Sequence, residues 1–214
     1  MNVEQAYRAW SETYDSNENK TRDLEAISLK ETLSLMKFEN VLEVGCGTGK
    51  NTVWLQTRAA HITAVDLSKD MLEKAKTKVL TSTLGNQVEF ILADITENWD
   101  FVSTSYDLAT FSLVLEHVEN IGSIFSKLKS VIKANGYIYI GELHPYKQYH
   151  GSKARFDTDA GVQVVECYNH HISDFTNAAI QHGFRIVSVN EFFDSEDRST
   201  MPRILTLLLQ KLCG

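Results

Sequence analysis

The sequence predicts an α/β fold: a doubly wound seven-stranded sheet, mostly parallel with an antiparallel last strand, helices on both faces and a small N-terminal helical cap. Three observations predict it. From Asn40 onward, short apolar runs alternate with stretches of helical periodicity, the pattern of parallel strands joined by crossover helices. Within that alternation, Val41-Leu-Glu-Val-Gly-Cys-Gly-Thr-Gly-Lys-Asn-Thr52 reads as a buried strand, a glycine-rich turn and a helix start. The last two apolar runs have no helical pattern between them, so a hairpin-like return makes the final strand antiparallel.

Residues 1–36 read as helical, with Ala26, Leu29, Leu33 and Met36 on one stripe and the polar stretch Tyr14–Lys20 as a loop. Val41–Val44 is the first strand, and the helix after Gly49 carries Val53 and Leu55. Ile62–Leu67 is the second strand. Ser68 then caps a helix that turns Leu72, Ala75 and Val79 to one face. Val88–Ala93 and Tyr106–Leu113 are the third and fourth strands. Asn120 caps a helix in which Ile121, Ile124, Phe125, Leu128 and Ile132 repeat at three- and four-residue spacing, and Asn135-Gly136 stops it. Tyr137–Leu143 is the fifth strand. His144–His171 breaks the rhythm and reads as polar and loop-like. Ser173 starts the closing helix, with Phe175, Ala178 and Ala179 inward and Gly183 as its stop. Phe184–Phe193 and Ile204–Leu212 complete the sheet. One domain spans 1–214: a cap (1–36), a sheet half (37–143), an insertion (144–172) and a closing helix with a strand hairpin (173–214).

A length of 214 residues suits a single core. The net charge of −7, with no Lys/Arg cluster, argues against nucleic acid as a partner. Three cysteines without a C-x-x-C pair indicate neither a disulfide framework nor a zinc site. No apolar signal core opens the chain, and no apolar run is long enough to span a bilayer. The expected setting is the cytoplasm, with no membrane partner.

The chemistry concentrates at strand ends. Gly45, Gly47 and Gly49 have no Cβ, so they can take positive φ and bring backbone close to a ligand, with N–H groups converging above the turn. The spacing is Gly-x-Gly-x-Gly, not the Gly-x-Gly-x-x-Gly of dinucleotide enzymes. Glu43 stands among apolar neighbours, where a carboxylate is costly unless paired. Asp66 closes the second strand. Each feature has a plain structural alternative: a ligand-free turn, a backbone-bonded Glu43, a helix-capping Asp66, a core Met71, a surface-loop Asp94.

Four segments in order, Val41–Asn51, Ala64–Met71, Leu92–Ile95 and Tyr106–His117, resemble class I S-adenosylmethionine (SAM)-dependent methyltransferases of the small-molecule branch. The resemblance covers about Trp10 to Leu212. It implies that Gly45, Cys46 and Gly47 form the cofactor turn, that Glu43 faces the cationic amino group of the methionine moiety, and that Asp66 accepts from both ribose hydroxyls. It places Leu67 and Met71 against adenine, Asp94 at the adenine amino group with Ile95 at the ring edge, and Phe111 and Ser112 beside the methionine portion. Tyr14, in Trp-Ser-Glu-Thr-Tyr-Asp, matches the family's cap tyrosine, which reaches the cofactor carboxylate; an amphipathic helix anchored by Trp10 and Tyr14 is the alternative. Residues 37–143 then form the cofactor half and 144–172 the substrate cap.

The implied reaction moves a methyl group to an O, N or C atom of a small molecule and leaves S-adenosyl-L-homocysteine (SAH). The chain lacks Asn/Asp-Pro-Pro-Tyr/Phe, which amino-methylating relatives acting on nucleic-acid bases often carry. His144, directly after the fifth strand and fixed by Pro145, is the first candidate base. His117, in Glu-His at the exit of the fourth strand, is the second, with a structural role as its alternative. Asn169-His-His171 offers two imidazoles but no third ligand, so no metal is expected. A monomer or homodimer is expected. Two other functions compete: a SAM-binding protein without turnover, and a nicotinamide-dependent oxidoreductase.

Overall fold

The computed structural model describes residues 3–11, 14–16, 18–81, 87–158 and 161–213. Glu12, Thr13 and Asn17 of the predicted cap and its loop lie outside the described residues, as do Met1 and Asn2. The cap comprises α1 (Val3–Trp10) and α2 (Lys20–Leu33), the latter capped by the Asn19 side chain, which accepts from the Arg22 N–H. Ala26, Leu29 and Leu33 face inward as their spacing predicts.

The alternation then runs β1 (Phe38–Val44), α3 (Lys50–Leu55), β2 (Ala59–Asp66), α4 (Lys69–Leu80), β3 (Val88–Leu92), β4 (Tyr106–Ser112), α5 (Ile121–Val131) and β5 (Ile132–Leu143). Ser68 caps α4 and Asn120 caps α5, each from its side chain. After β5 come α6 (Pro145–Tyr149), a hairpin of β6 (Arg155–Thr158) and β7 (Gly161–Val164), then α7 (Ile172–Gln181), β8 (Phe184–Phe192) and β9 (Ile204–Lys211).

The main sheet has the order β3-β2-β1-β4-β5-β9-β8. The first five strands in that order pair in parallel, and β9 runs antiparallel to both β5 and β8. One face packs Phe111, Ile138, Ile140 and Leu207 under α5 and α7. The other packs Val41, Leu108, Tyr139 and Leu208 under α2, α3 and α4. The chain leaves β1 toward β2 on one side and later returns to β4 on the other, so a crevice opens at the carboxyl ends of β1 and β4. The pairs Val44–Val65 and Val44–Phe111 put these ends level.

Four expectations need correction. Helix α5 ends at Val131, because Ile132 is extended (ψ 133°) and already pairs with Tyr106. Ile132 therefore belongs to β5 and not to the helical stripe. Asn135-Gly136 lies inside that strand, where Asn135 (φ +62°) accompanies a register shift. A left-handed Asn that bends a strand looks, in sequence, like a helix stop. The insertion 144–171 is not a plain loop: it holds α6 and the β6–β7 hairpin, whose short polar elements carry no readable period. Helix α7 starts one residue before Ser173, with Asp174 Oδ2 accepting the His171 N–H at 2.8 Å. Among the described residues no helix is long and apolar enough to cross a membrane.

Candidate functional site

The glycine turn leaves β1 with Gly45, Gly47 and Gly49 at φ +70°, +53° and +81°. A Cβ on Gly45 would collide with Val114 Cγ2, so this position needs glycine for space as well as for φ. At Gly47 a Cβ would meet nothing within 4 Å; there the backbone borders open space. Asp66, ending the next strand, ties the turn together. Its Oδ2 accepts the Gly47 N–H at 2.8 Å and its Oδ1 the Ser68 N–H at 2.8 Å. Burial raises its pKa, while those backbone bonds oppose the rise.

A cavity of about 320 Å³ opens over the crevice, with Gly45, Gly47, Asp66, Leu67, Asp94 and Ile95 along one side. Asp94 is exposed there and its Oδ1 holds a local turn through the Thr96 N–H (2.8 Å) and hydroxyl (2.6 Å). Tyr7 and Tyr14 of the cap, with Ser112, Leu113 and His117, close the other side. Leu113 has φ +59°, a strained value for a non-glycine residue at a cavity wall.

A small recess of about 40 Å³ adjoins it and reaches Glu25, Glu43, Cys46 and Asn51. Glu43 is buried, and its carboxylate accepts from the Thr52 hydroxyl at 2.6 Å. Burial, reinforced by repulsion from Glu25 and Asp66, pushes its pKa up to about 8. Glu25 accepts from Asn51 Nδ2 (3.0 Å) and the Tyr139 hydroxyl (3.1 Å), and burial pushes it to about 7. Asn51 Oδ1 is buried and has no partner among the described residues. Glu25, Glu43 and Asn51 Oδ1 put acceptors around the recess, whose rim also includes Arg22 and Lys50; the acceptors fit a small ammonium group. Sequence reading missed Glu25 and Asn51. The usable signal was spacing: Glu25 stands four residues before Leu29 and eight before Leu33, on the buried face of α2.

His117 lines the main cavity from a 3-10 turn (Leu115–His117) after β4. Buried Glu142, also missed, anchors this turn by accepting the N–H groups of Val114 (3.0 Å), Leu115 (2.8 Å) and Glu116 (3.3 Å). His117 Nδ1 lies 2.7 Å from the Glu166 carbonyl, which only accepts, so the ring proton sits on Nδ1. Nε2 then accepts from the Tyr7 hydroxyl at 2.8 Å. Burial holds the His117 pKa below its usual 6.5 and raises that of Tyr7 well above 10.0, so the pair is neutral at pH 7.

His144 does not reach this cavity. It is fully buried, its Nε2 pairs with Glu191 Oε1 at 3.0 Å, and its Nδ1 accepts the Tyr146 N–H at 3.1 Å. Pro145 begins α6, and the Glu191 bond ties the imidazole to β8. Phe111 and Met71 are also buried outside the cavity wall, Phe111 in the core with Val44 and Met71 at the start of α4. His170 Nε2 bonds the Leu115 and Val118 carbonyls at 3.1 and 2.7 Å, a structural latch. Glu116, His117 and Cys167 do offer three atoms within 4.8 Å of one another. Both His117 nitrogens, however, already have the partners named above.

Residues 42–140 match the family model described as a methyltransferase domain. A demethylmenaquinone methyltransferase of Leptospira interrogans is 31% identical over 99 residues, 45% of this chain and 40% of the relative. A ubiquinone biosynthesis O-methyltransferase of Photobacterium profundum is 27% identical over 106 residues, 50% of this chain and 44% of the relative. The chain thus spans less than half the length of these curated relatives. Among solved structures, the SAH complex of the N-methyltransferase NodS from Bradyrhizobium japonicum superposes with a TM-score of 0.72 at 15% identity, covering 99% of both chains. The DhpI–SAH complex superposes with a TM-score of 0.75 at 21% identity, covering 98% of this chain and 95% of that one. Residues 42–140 thus resemble a methyltransferase domain, and the chain shares the fold of these solved structures.

Proposed function

We propose that this protein is a SAM-dependent methyltransferase acting on a small molecule. The observation that carries the reading is the acceptor-rich recess of Glu25, Glu43 and Asn51, joined through Gly45 and Gly47 to the Asp66 cavity. An ammonium group seated in the recess relieves two strained carboxylates. A ribose at Asp66 meets a carboxylate already oriented by two N–H groups. Leu67 and Ile95 supply apolar surface for a base, and Asp94 an acceptor at its edge. The printed ligands and activities of the structural and sequence neighbours above agree with this assignment.

When bound, SAM supplies a methyl group already activated on a sulfonium. The chain's own work is to position the acceptor, keep water out and receive a proton. Tyr7, Tyr14 and Leu113 line one side of the site. Tyr7 passes its hydroxyl proton to His117 Nε2 as it takes one from the acceptor, and Glu166 holds the imidazole in the receiving tautomer. His117, not His144, is therefore the base in this reading, with O, N or C as the atom methylated. The three cysteines are free, which suits a reducing cytoplasm. A screen of small metabolites for transfer of labelled methyl from SAM tests the proposal. Turnover that is lost in His117→Gln supports it, and SAM binding without any transfer across the library counts against it.

A further inference from the structure

A second cavity, also about 320 Å³, shares Tyr7, Tyr14 and Leu113 with the first. Its charge is unlike that of the chain. Five cationic side chains, Lys20, Arg22, Lys153, Arg155 and Arg203, face two carboxylates, Glu18 and Glu116, in a protein of net charge −7. Two of the five already have work. Arg203 is clamped by Asp194 and also reaches Thr21 Oγ1 at 3.1 Å. Arg22 donates to the Tyr14 carbonyl, stacks 4.6 Å over the Tyr14 ring and borders the Glu43 recess.

Lys20, Lys153 and Arg155 remain. All three are exposed, and none forms a salt bridge among the described residues. They converge from three elements: the start of α2, the loop after α6, and β6. Lys20 opens α2, where the helix dipole disfavours a cation, so helix stability does not account for it. With Arg22 and Arg203 the three leave the wall with more positive than negative charge, since only Glu18 and Glu116 among its lining residues are acidic. Burial pushes the pKa of Glu116, on the same wall, up to about 7, which weakens the anion already there.

We propose that this cavity seats the anionic group of the methyl acceptor, a carboxylate or a phosphoryl group, between Lys20, Lys153 and Arg155. The word acceptor rests on the methyltransferase reading; the anion site itself does not. Small dianions gain most from such a cluster, because each oxygen can take a charge-assisted hydrogen bond. The Tyr7–Tyr14–Leu113 boundary is then where acceptor and cofactor meet, and Tyr7 borders both cavities.

Calorimetric titration of the full chain with inorganic phosphate and, separately, with acetate tests this. The proteins are wild type and the double variant Lys153→Met/Arg155→Met, each also titrated with SAH. Wild type binds at least one anion, and the double variant binds it about tenfold or more weakly, the loss expected for removing charged hydrogen-bond partners. SAH affinity changes little, since neither residue lines the Asp66 cavity. Tighter phosphate than acetate assigns a phosphoryl acceptor; the reverse order assigns a carboxylate. No anion binding in wild type, or equal binding in both proteins, overturns the proposal. If SAH fails to bind while phosphate behaves as expected, the cofactor reading falls and the anion site stands. Should the double variant unfold by circular dichroism, the single exposed change Arg155→Gln decides by the same comparison.

Discussion

Glu43→Gln changes the pH dependence of folding in a direction the structure fixes. Glu43 is buried, accepts a hydrogen bond from Thr52, and has Glu25 and Asp66 as like-charged neighbours. Its folded pKa of about 8 lies above the ordinary 4.5, so folding takes up a proton between those limits. Its contribution to stability is fully present below the lower limit and is lost as pH rises through the upper one. The slope approaches about 1.4 kcal/mol per pH unit, so going from about pH 6 to about pH 8 costs about 2 kcal/mol at this site. Gln does not titrate. It keeps the Thr52 bond but leaves an amide N–H₂ to find a partner, a cost of about 1–3 kcal/mol. The variant is therefore less stable than wild type at about pH 5 and gains on it steadily toward about pH 8. Glu116 and Glu142, held near 7 and 8 by burial, keep their own slopes in both proteins, so the difference reports Glu43 together with the neighbours it repels, Glu25 and Asp66. Urea denaturation at several pH values measures it. A stability difference that stays constant from pH 5 to pH 8 refutes a buried, proton-holding Glu43.

Three further substitutions separate the roles assigned above. Asp66→Ala removes an acceptor for two turn N–H groups and for a ribose, so it weakens SAM affinity by about 2–4 kcal/mol in calorimetry while the protein still folds; unchanged SAM titration removes Asp66 from the site. Tyr7→Phe breaks the route to His117 Nε2 and lowers kcat by about 10²-fold; a loss confined to KM makes Tyr7 only a wall. His144→Ala leaves turnover near wild type but lowers the melting temperature, because a buried imidazole bonded to Glu191 and the α6 start is lost; a well-folded, inactive His144→Ala enzyme reverses the choice of base.

The legible part of this molecule was the part set by local backbone. Gly45, Gly47 and Gly49 announce themselves because left-handed φ selects glycine, and Asp66 stands out because it ends an apolar run. Caps at Ser68 and Asn120 were readable for the same reason. The illegible part depends on long-range contacts. Glu25 meets Tyr139 across 114 residues, and Glu142 reaches back 28 residues to Val114; neither has a local signature. His144 shows the opposite case. Its place after β5 was read correctly, but its side-chain direction is set by α6 and by Glu191 on β8. The cationic cavity escaped notice because Lys20, Lys153, Arg155 and Arg203 are scattered in sequence and gather only in the fold.

Calorimetry of the purified chain with SAM, SAH and NAD tests the central claim most directly. The recess of Glu25 and Glu43, the glycine turn and Asp66 predict that SAM and SAH bind one site per chain with comparable affinity, and that saturating NAD neither binds nor displaces them. Tight NAD binding with no SAM or SAH signal would contradict the assignment of this cavity.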